Sequence, residues 1–398
     1  MGSESERLME LAEKWCARNY EPLPVCISKG EGVYVWDPEG RKYMDMLSAY
    51  SAMSHGHRHP KIVKALIEQA GRSTLTSRAF HNDMLGPFLE KLCALTRFEK
   101  ALPMNTGAEA VETALKAMRK WAYEVKGVPD GRARIIAAAN NFHGRTIAAI
   151  SMSTSDTTKK SFGPLLPGID IVPFGDAAAL EAAITEDTAG VLLEPIQGEG
   201  GVVVPPDDYL ARVREICDKR SVLLCLDEIQ TGLGRTGKMF CFEHYGIRPD
   251  IVTLGKALGG GVLPVSAVCA NENVMRVFTH GTHGSTFGGN PLAAAVAIAA
   301  MDALRDEKMV ENSSIMGEFF MSSLRELKLP GVSLVRGKGL LVGVVLEKPV
   351  AHDKSLELLD AGLLAKDARP DIIRFAPPLI ITKDQIEEAL GIIVKVFK

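Results

Sequence analysis

Four apolar runs in this chain lead into residues that could do chemistry. "SVLLCLD" (221–227) closes on Asp227, and "DIVTLG" (250–255) runs into Lys256. "GVLLEPI" (190–196) carries Glu194 and leads to Gln197 and Glu199, while "KALPM" (100–104) opens onto Asn105, Thr106 and Gly107. A carboxylate ending an apolar strand is costly unless a donor or cation meets it. A lysine in that setting loses proton affinity and becomes a nucleophile toward carbonyl carbon. Small residues between a strand and a helix expose backbone N–H groups beside the positive end of the helix dipole, where anions bind. Taken singly, each has an ordinary structural explanation. Lys256 could be a surface lysine closing a strand, and Asn105 or Thr106 a simple helix cap. Taken together they describe one lined crevice, because open α/β sheets bind ligands beyond the carboxyl ends of their strands.

The elements that must position these residues are legible. Strand-like runs at 100–104, 134–139, 169–174, 190–196, 221–227 and 250–255 alternate with helical patterns such as 107–126 and 206–219. That alternation predicts an α/β fold with a mainly parallel sheet buried on both faces. Residues 32–47 read as strands around a turn at Asp37–Gly40. After Asn290 the pattern changes to two long helices (about 291–306 and 309–327), the strands "VSLVRG" and "LLVGVVLE", a helix, "IIRFAPPL" and a last helix from Thr382. The expected division is an N-terminal segment 1–50 packing with the small domain, a large domain 51–290 and a smaller α+β domain 291–398.

Composition removes several classes of function. The net charge is −3, from 46 basic and 49 acidic residues with no basic block, which argues against nucleic acid or an anionic membrane as a main partner. The longest apolar run, Pro291 to Met301, is too short for a membrane span. Seven cysteines without a CxxC pair read as reduced thiols. The acidic N-terminus has neither an apolar signal core nor a transit-peptide character, and Glu6 breaks the myristoylation pattern, so a cytoplasmic location is expected. "HGHRHP" (His55, His57, His59) has no cysteine or carboxylate beside it, and no metal site is expected. "GLGRTGK" (232–238) has the spacing of a nucleotidase phosphate loop, and "GEGG" (198–201) is a weaker glycine loop. Against the nucleotidase reading, Met239 stands where Ser or Thr should bind Mg²⁺, the motif order is reversed, and no apolar strand directly precedes the glycines.

An anion site, a buried aspartate and a strand-end lysine match the needs of pyridoxal phosphate. The lysine takes the aldehyde, the aspartate keeps the pyridine nitrogen protonated, and the helix N-terminus takes the phosphate.

"DEIQTGLGRTGK", "LGKALGGG", "HGSTFGGNP" and "NTGAEAVETALK" resemble the class III aminotransferases, fold type I pyridoxal-phosphate enzymes, and the likeness runs from about residue 15 to the end. "NYEPLP", "LSAYSA", "LTSRAF", "NFHGRT", "EPIQGE", "RGKGLL" and "IIRFAPPL" are similar to the branch acting on free ornithine. The resemblance implies a seven-stranded, mainly parallel sheet and a homodimer with active sites at its interface. It implies that Lys256 carries the cofactor, that Asp227 meets the pyridinium with Glu194 in support, and that Phe142 and Ile229 flank the ring. Gly107 and Ala108 would hold the phosphate, Gln230 the phenolic oxygen, and Ser285 and Thr286 would reach a neighbouring subunit's phosphate. For substrate, Tyr20, Tyr50 and Arg145 would orient L-ornithine. Arg374 would bind 2-oxoglutarate and glutamate, masked by Glu199 when ornithine is bound. Relatives acting on N-acetylornithine or 4-aminobutyrate commonly lack the tyrosine at position 50. The chain departs from the family pattern at Met53, Ser54, His55, Gly200 and Arg369. A pyridoxal-phosphate-binding regulator would need an added DNA-binding module, for which there is no spare length.

Overall fold

The computed structural model describes residues 3–398; Gly2, which the lipidation pattern concerns, lies outside the described residues. Its central sheet has seven strands in the spatial order Lys100–Met104, Ser266–Ala270, Ile251–Leu254, Leu223–Asp227, Thr188–Leu193, Arg134–Ala138, Ile169–Val172. Only Ser266–Ala270 runs against its neighbours, so the sheet is mainly parallel, as expected. That strand, "SAVCA", is absent from the runs read off the sequence because its small residues give too little apolar signal.

Strand parity sorts the side chains onto two cores. Ile136, Val191, Leu224, Leu226 and Val252 pack into one cluster, and Ile135, Leu192, Leu223, Cys225 and Ile251 into the other, all buried. The second face is covered by the helix Gly107–Trp121, which lays Ala110, Val111, Ala114 and Met118 on it. Asp227 shares the parity of Leu223 and Cys225, so it emerges at the strand's end on the side of that helix.

A second sheet pairs Lys29–Glu31, Tyr34–Trp36 and Lys42–Asp45 with the short strand Leu363–Leu364. The third pairs Val332–Lys338, Leu341–Leu346, Ile372–Phe375 and Lys366–Arg369 in antiparallel fashion. Two backbone bonds tie the chain just beyond Arg374 to the N-terminal region: Ala376 N–H donates to Met46 C=O (2.6 Å) and Leu379 N–H to Ser54 C=O (2.7 Å).

The remaining motifs find structural roles. "GLGRTGK" is a run of turns whose Arg235 is wholly buried and donates to Leu340 C=O (3.0 Å), Pro377 C=O (2.6 Å) and Ser54 Oγ (2.9 Å). A Cβ on Gly237 would lie 2.9 Å from the Ser314 backbone, so this glycine gives room to the helix Met309–Glu326 and not to a phosphate. The rings of "HGHRHP" disperse: His55 to Ala300 C=O, His57 to Asp45, and His59 to Glu307. Carboxylate partners therefore do exist, but 12 and 248 residues away in sequence. Among the described residues no group of three metal-ligating side chains gathers, and no helix is long and apolar enough to cross a membrane. All seven cysteines are free thiols.

Candidate active site

Lys256 follows the strand Ile251–Leu254 through an extended Gly255 and opens a short 3₁₀ turn with φ +44°, a strained value for a residue with a side chain. Burial pushes its ammonium below the usual lysine range; the carboxylates of Glu199, Asp227 and Glu194 oppose that push without cancelling it. Asp227 ends the next strand, buried, and both of its oxygens are occupied. Oδ1 accepts from Ile229 N–H (3.1 Å) and Thr253 Oγ1 (3.1 Å), and Oδ2 pairs with His143 Nδ1 at 2.8 Å. Desolvation works against a charged His143, yet its hydrogen bond to Asp227 and the charges of Asp227 and Glu194 win and hold the ring above its ordinary pKa. Glu194 accepts from Phe142 N–H (3.0 Å) and Gly198 N–H (3.3 Å), and burial pushes its carboxyl up to about 7.

These groups line one cleft with Gly107, Ala108, Phe142, Ile229 and Gln230. Thr106 caps the helix Gly107–Trp121 in a reciprocal box with Glu109, so the plain N-cap role and the anion site coexist. The carboxylate of Glu109 takes the N–H groups of Asn105 and Thr106. Those of Gly107 and Ala108, in the first turn, have no partner within the helix. A Cβ on Gly107 would meet Ile229 at 3.1 Å, and one on Gly144 would meet Ala108 at 3.1 Å with a φ of +119° that favours glycine. Both glycines let the rim close around the helix N-terminus.

Above this floor lies a second charged cluster. Arg374, on the strand Ile372–Phe375, is almost wholly buried and its Nη1 meets Glu199 Oε1 at 2.5 Å. Gln230 bridges the two, donating to Glu199 (3.4 Å) and accepting from Arg374 (3.5 Å). Burial opposes ionisation of Glu199, but Arg374 and then Lys256 hold its carboxyl below the usual range. The Nε and Nη2 groups of Arg374 are buried without partners. The ring of Tyr50 lies 4.9 Å from the Arg374 guanidinium carbon. Burial raises the Tyr50 phenol pKa, as do Glu199 and Tyr20, against the pull of Arg374.

Not every expected residue lines the cleft: Glu199 and Arg374 stand beside it, joined to it through Gln230, with Tyr50 against Arg374. Tyr20 is 80 % exposed, and Arg145 is exposed with its guanidinium 5.5 Å from the Phe142 ring. Ser285 accepts from its own chain's Asn105 Nδ2 (2.9 Å), and neither it nor Thr286 lines the cleft. Conversely His143, Gly144, Ile196 and Thr231 line it without having been singled out. For His143 the sequence offers no signal, since its partner lies 84 residues away.

The donor set fits pyridoxal phosphate. An amine, a carboxylate held by a histidine, an aromatic wall, an aliphatic wall and a helix N-terminus converge on a cleft in which His143 Nε2 is buried and unpartnered. The sequence pattern of the family "Aminotransferase class-III" matches residues 15–397. A Geobacillus ornithine aminotransferase is 55% identical over 395 residues, covering 99% of this chain and 99% of its own. The solved ornithine aminotransferase of Toxoplasma gondii, described with partial occupancy of PLP at its active site, is 45% identical with a TM-score of 0.97, covering 99% of this chain and 94% of its own. The acetylornithine aminotransferase of Elizabethkingia anophelis is 48% identical with a TM-score of 0.91, covering 100% of this chain and 99% of its own.

Proposed function

The chain belongs to the class III aminotransferases, and from that premise we propose that it moves the δ-amino group of L-ornithine to 2-oxoglutarate, giving glutamate 5-semialdehyde and glutamate, with pyridoxal phosphate as cofactor. The observation that carries the choice of substrate is Tyr50 stacked on an Arg374 that Glu199 already occupies. With Arg374 masked, the cleft does not invite an α-carboxylate, so ornithine presents its far amine. When Glu199 swings away, the planar guanidinium offers a two-pronged site for a dicarboxylate.

Bound pyridoxal phosphate supplies the electron sink that stabilises a carbanion next to the transferred nitrogen. Lys256 would hold its aldehyde, Gly107 and Ala108 its phosphate, Asp227 its ring nitrogen, Gln230 its phenolic oxygen, and Phe142 and Ile229 its two faces. The depressed pKa of Lys256 supports its role as the base that takes the proton from Cδ of ornithine. His143 orients Asp227 through its 2.8 Å contact, with Glu194 nearby in support. Arg145 binds the ornithine carboxylate, and Tyr20 and Tyr50 orient its head.

The active unit in this reading is a homodimer in which Ser285 and Thr286 serve the neighbouring subunit's phosphate. Exposed Phe287 (55 %) and Phe80 (75 %) support it. Their segments are tied together by the bond from Asn82 Nδ2 to Gly289 C=O (3.4 Å), leaving apolar rings in water beside Ser285. The free thiols support a reducing compartment such as the cytoplasm.

The acetylornithine enzyme's 48% identity keeps N-acetylornithine as the second reading. Single-turnover spectroscopy separates the two. Ornithine alone should bleach the cofactor band of the wild type and yield a trapped semialdehyde, and Lys256→Ala should abolish both band and turnover. Bleaching only by N-acetylornithine or 4-aminobutyrate would overturn the choice of substrate.

A further inference from the structure

The backbone that presents Tyr50 is unusual. Ser48, Ala49, Tyr50 and Ser51 have φ angles of +52°, +46°, +59° and +74°. L-residues enter the left-handed region singly and at a cost; a run of four without glycine persists only if its surroundings impose it. The surroundings can be named. Asp45 Oδ1 accepts the N–H groups of Leu47 (2.9 Å) and Ser48 (2.8 Å), and Asp45 Oδ2 pairs with His57 Nε2 at 2.8 Å. Met53 N–H closes the turn on Ser48 C=O (2.9 Å). On either side, Met46 and Ser54 accept backbone bonds from Ala376 and Leu379, which lie just past Arg374. The turn and the arginine strand are thus one braced unit. The Oγ atoms of Ser48 and Ser51 are buried without partners, so the turn's own side chains do not hold it.

We propose that the Asp45–His57 pair is a positioning device: it locks the left-handed turn that stacks Tyr50 on Arg374, and so sets the preference for a substrate with a free amino-acid head. Neither residue lines the cleft; both act through the backbone of the turn. The inference rests on the reading of Tyr50 given above and adds what holds that residue in place.

The test is Asp45→Ala. Without the carboxylate, the N–H groups of Leu47 and Ser48 lose their acceptor and the turn relaxes toward negative φ. A crystal structure of the cofactor-free variant should show the Tyr50 ring off Arg374. The ratio of kcat/KM for ornithine over 4-aminobutyrate should fall by up to about a hundredfold, the scale for a contact displaced by about an ångström. In a Tyr50→Ile background the same change should leave that ratio where Tyr50→Ile put it, whereas a general loss of stability would act in both backgrounds alike. Should Asp45→Ala fail to fold, Asp45→Asn, which keeps an acceptor for the turn but loses the charge facing His57, should give a smaller shift in the same direction. A variant crystal with φ values and ring position unchanged, or an unchanged ratio in folded protein, overturns the proposal. If the wild type itself leaves ornithine unconverted, the substrate reading fails, and the variant crystal still decides the positioning role.

Discussion

At one end of the candidate site the buried carboxylates are bound to fixed donors. Asp227 is held by a backbone amide, a threonine and a histidine, and Glu194 by two backbone amides. At the other end Arg374 is held through one nitrogen, keeps two N–H groups without partners, and faces a Glu199 whose side chain is 29 % exposed. Preorganised charge that need not move is what a permanently bound group requires. Two substrates that exchange in one pocket require the reverse: a cation whose partner can leave. In the proposed reading, the same fold supplies both a fixed and an exchangeable centre.

Breaking each centre in turn gives the largest expected effects. Asp227→Asn should slow both half-reactions alike, by about a thousandfold, the scale for losing one aimed charge in a buried site. Arg374→Lys should spare the ornithine half-reaction and lower kcat/KM for 2-oxoglutarate by about a hundredfold, because a point charge replaces a two-pronged donor and two charge-assisted bonds go with it. Equal losses in both half-reactions for Arg374→Lys would erase the distinction between the two ends. Glu199→Gln sharpens it further. Unmasking Arg374 should improve kcat/KM for glutamate about fivefold, on the scale of a partly exposed ion pair, while ornithine use declines. Unchanged use of both substrates would mean that Glu199 is no gate.

The two ends also differed in how far the sequence announced them. Lys256, Asp227 and Glu194 stand out because apolar strands seldom end on unpaired charge, and the strands that carry them are long enough to read. Arg374 and Tyr50 have no such signature. An arginine in "IIRF" and a tyrosine in "SAYS" look like packing residues until a family motif singles them out. The left-handed turn under Tyr50 is invisible for a related reason: the usual markers of positive φ, glycine and asparagine, are absent from "SAYS". His143 was missed because its partner Asp227 is distant in sequence, and the strand Ser266–Ala270 because its small residues carry too little apolar signal. What depends on a second chain, as Ser285 and Thr286 do in the dimer reading, is reached only through a family motif and not through the strand-and-charge pattern of one chain.

The smallest effect concerns pH and tests whether the fixed end is as rigidly charged as its hydrogen bonds suggest. Burial lifts Glu194 to about 7, so the folded protein binds a proton there that the unfolded chain, with an ordinary carboxyl, has released. The sign follows from linkage: between the ordinary carboxyl range and about 7, folded protein carries more protons than unfolded, and stability falls as pH rises. Glu228, also raised to about 7 by burial, adds a slope over the same window from a site whose partners are Cys241, Phe242 and Thr231. His143, raised as well, adds its own decline above the ordinary histidine range. Glu194→Gln removes the first contribution and leaves the second. In the cofactor-free protein, the loss of stability between pH 5 and 7 should therefore become shallower without vanishing, the difference from wild type reaching on the order of 2 kcal/mol or less. Denaturant unfolding at a series of pH values reads it directly. Parallel wild-type and variant curves would mean that burial does not raise the Glu194 carboxyl and that the slope comes from other groups.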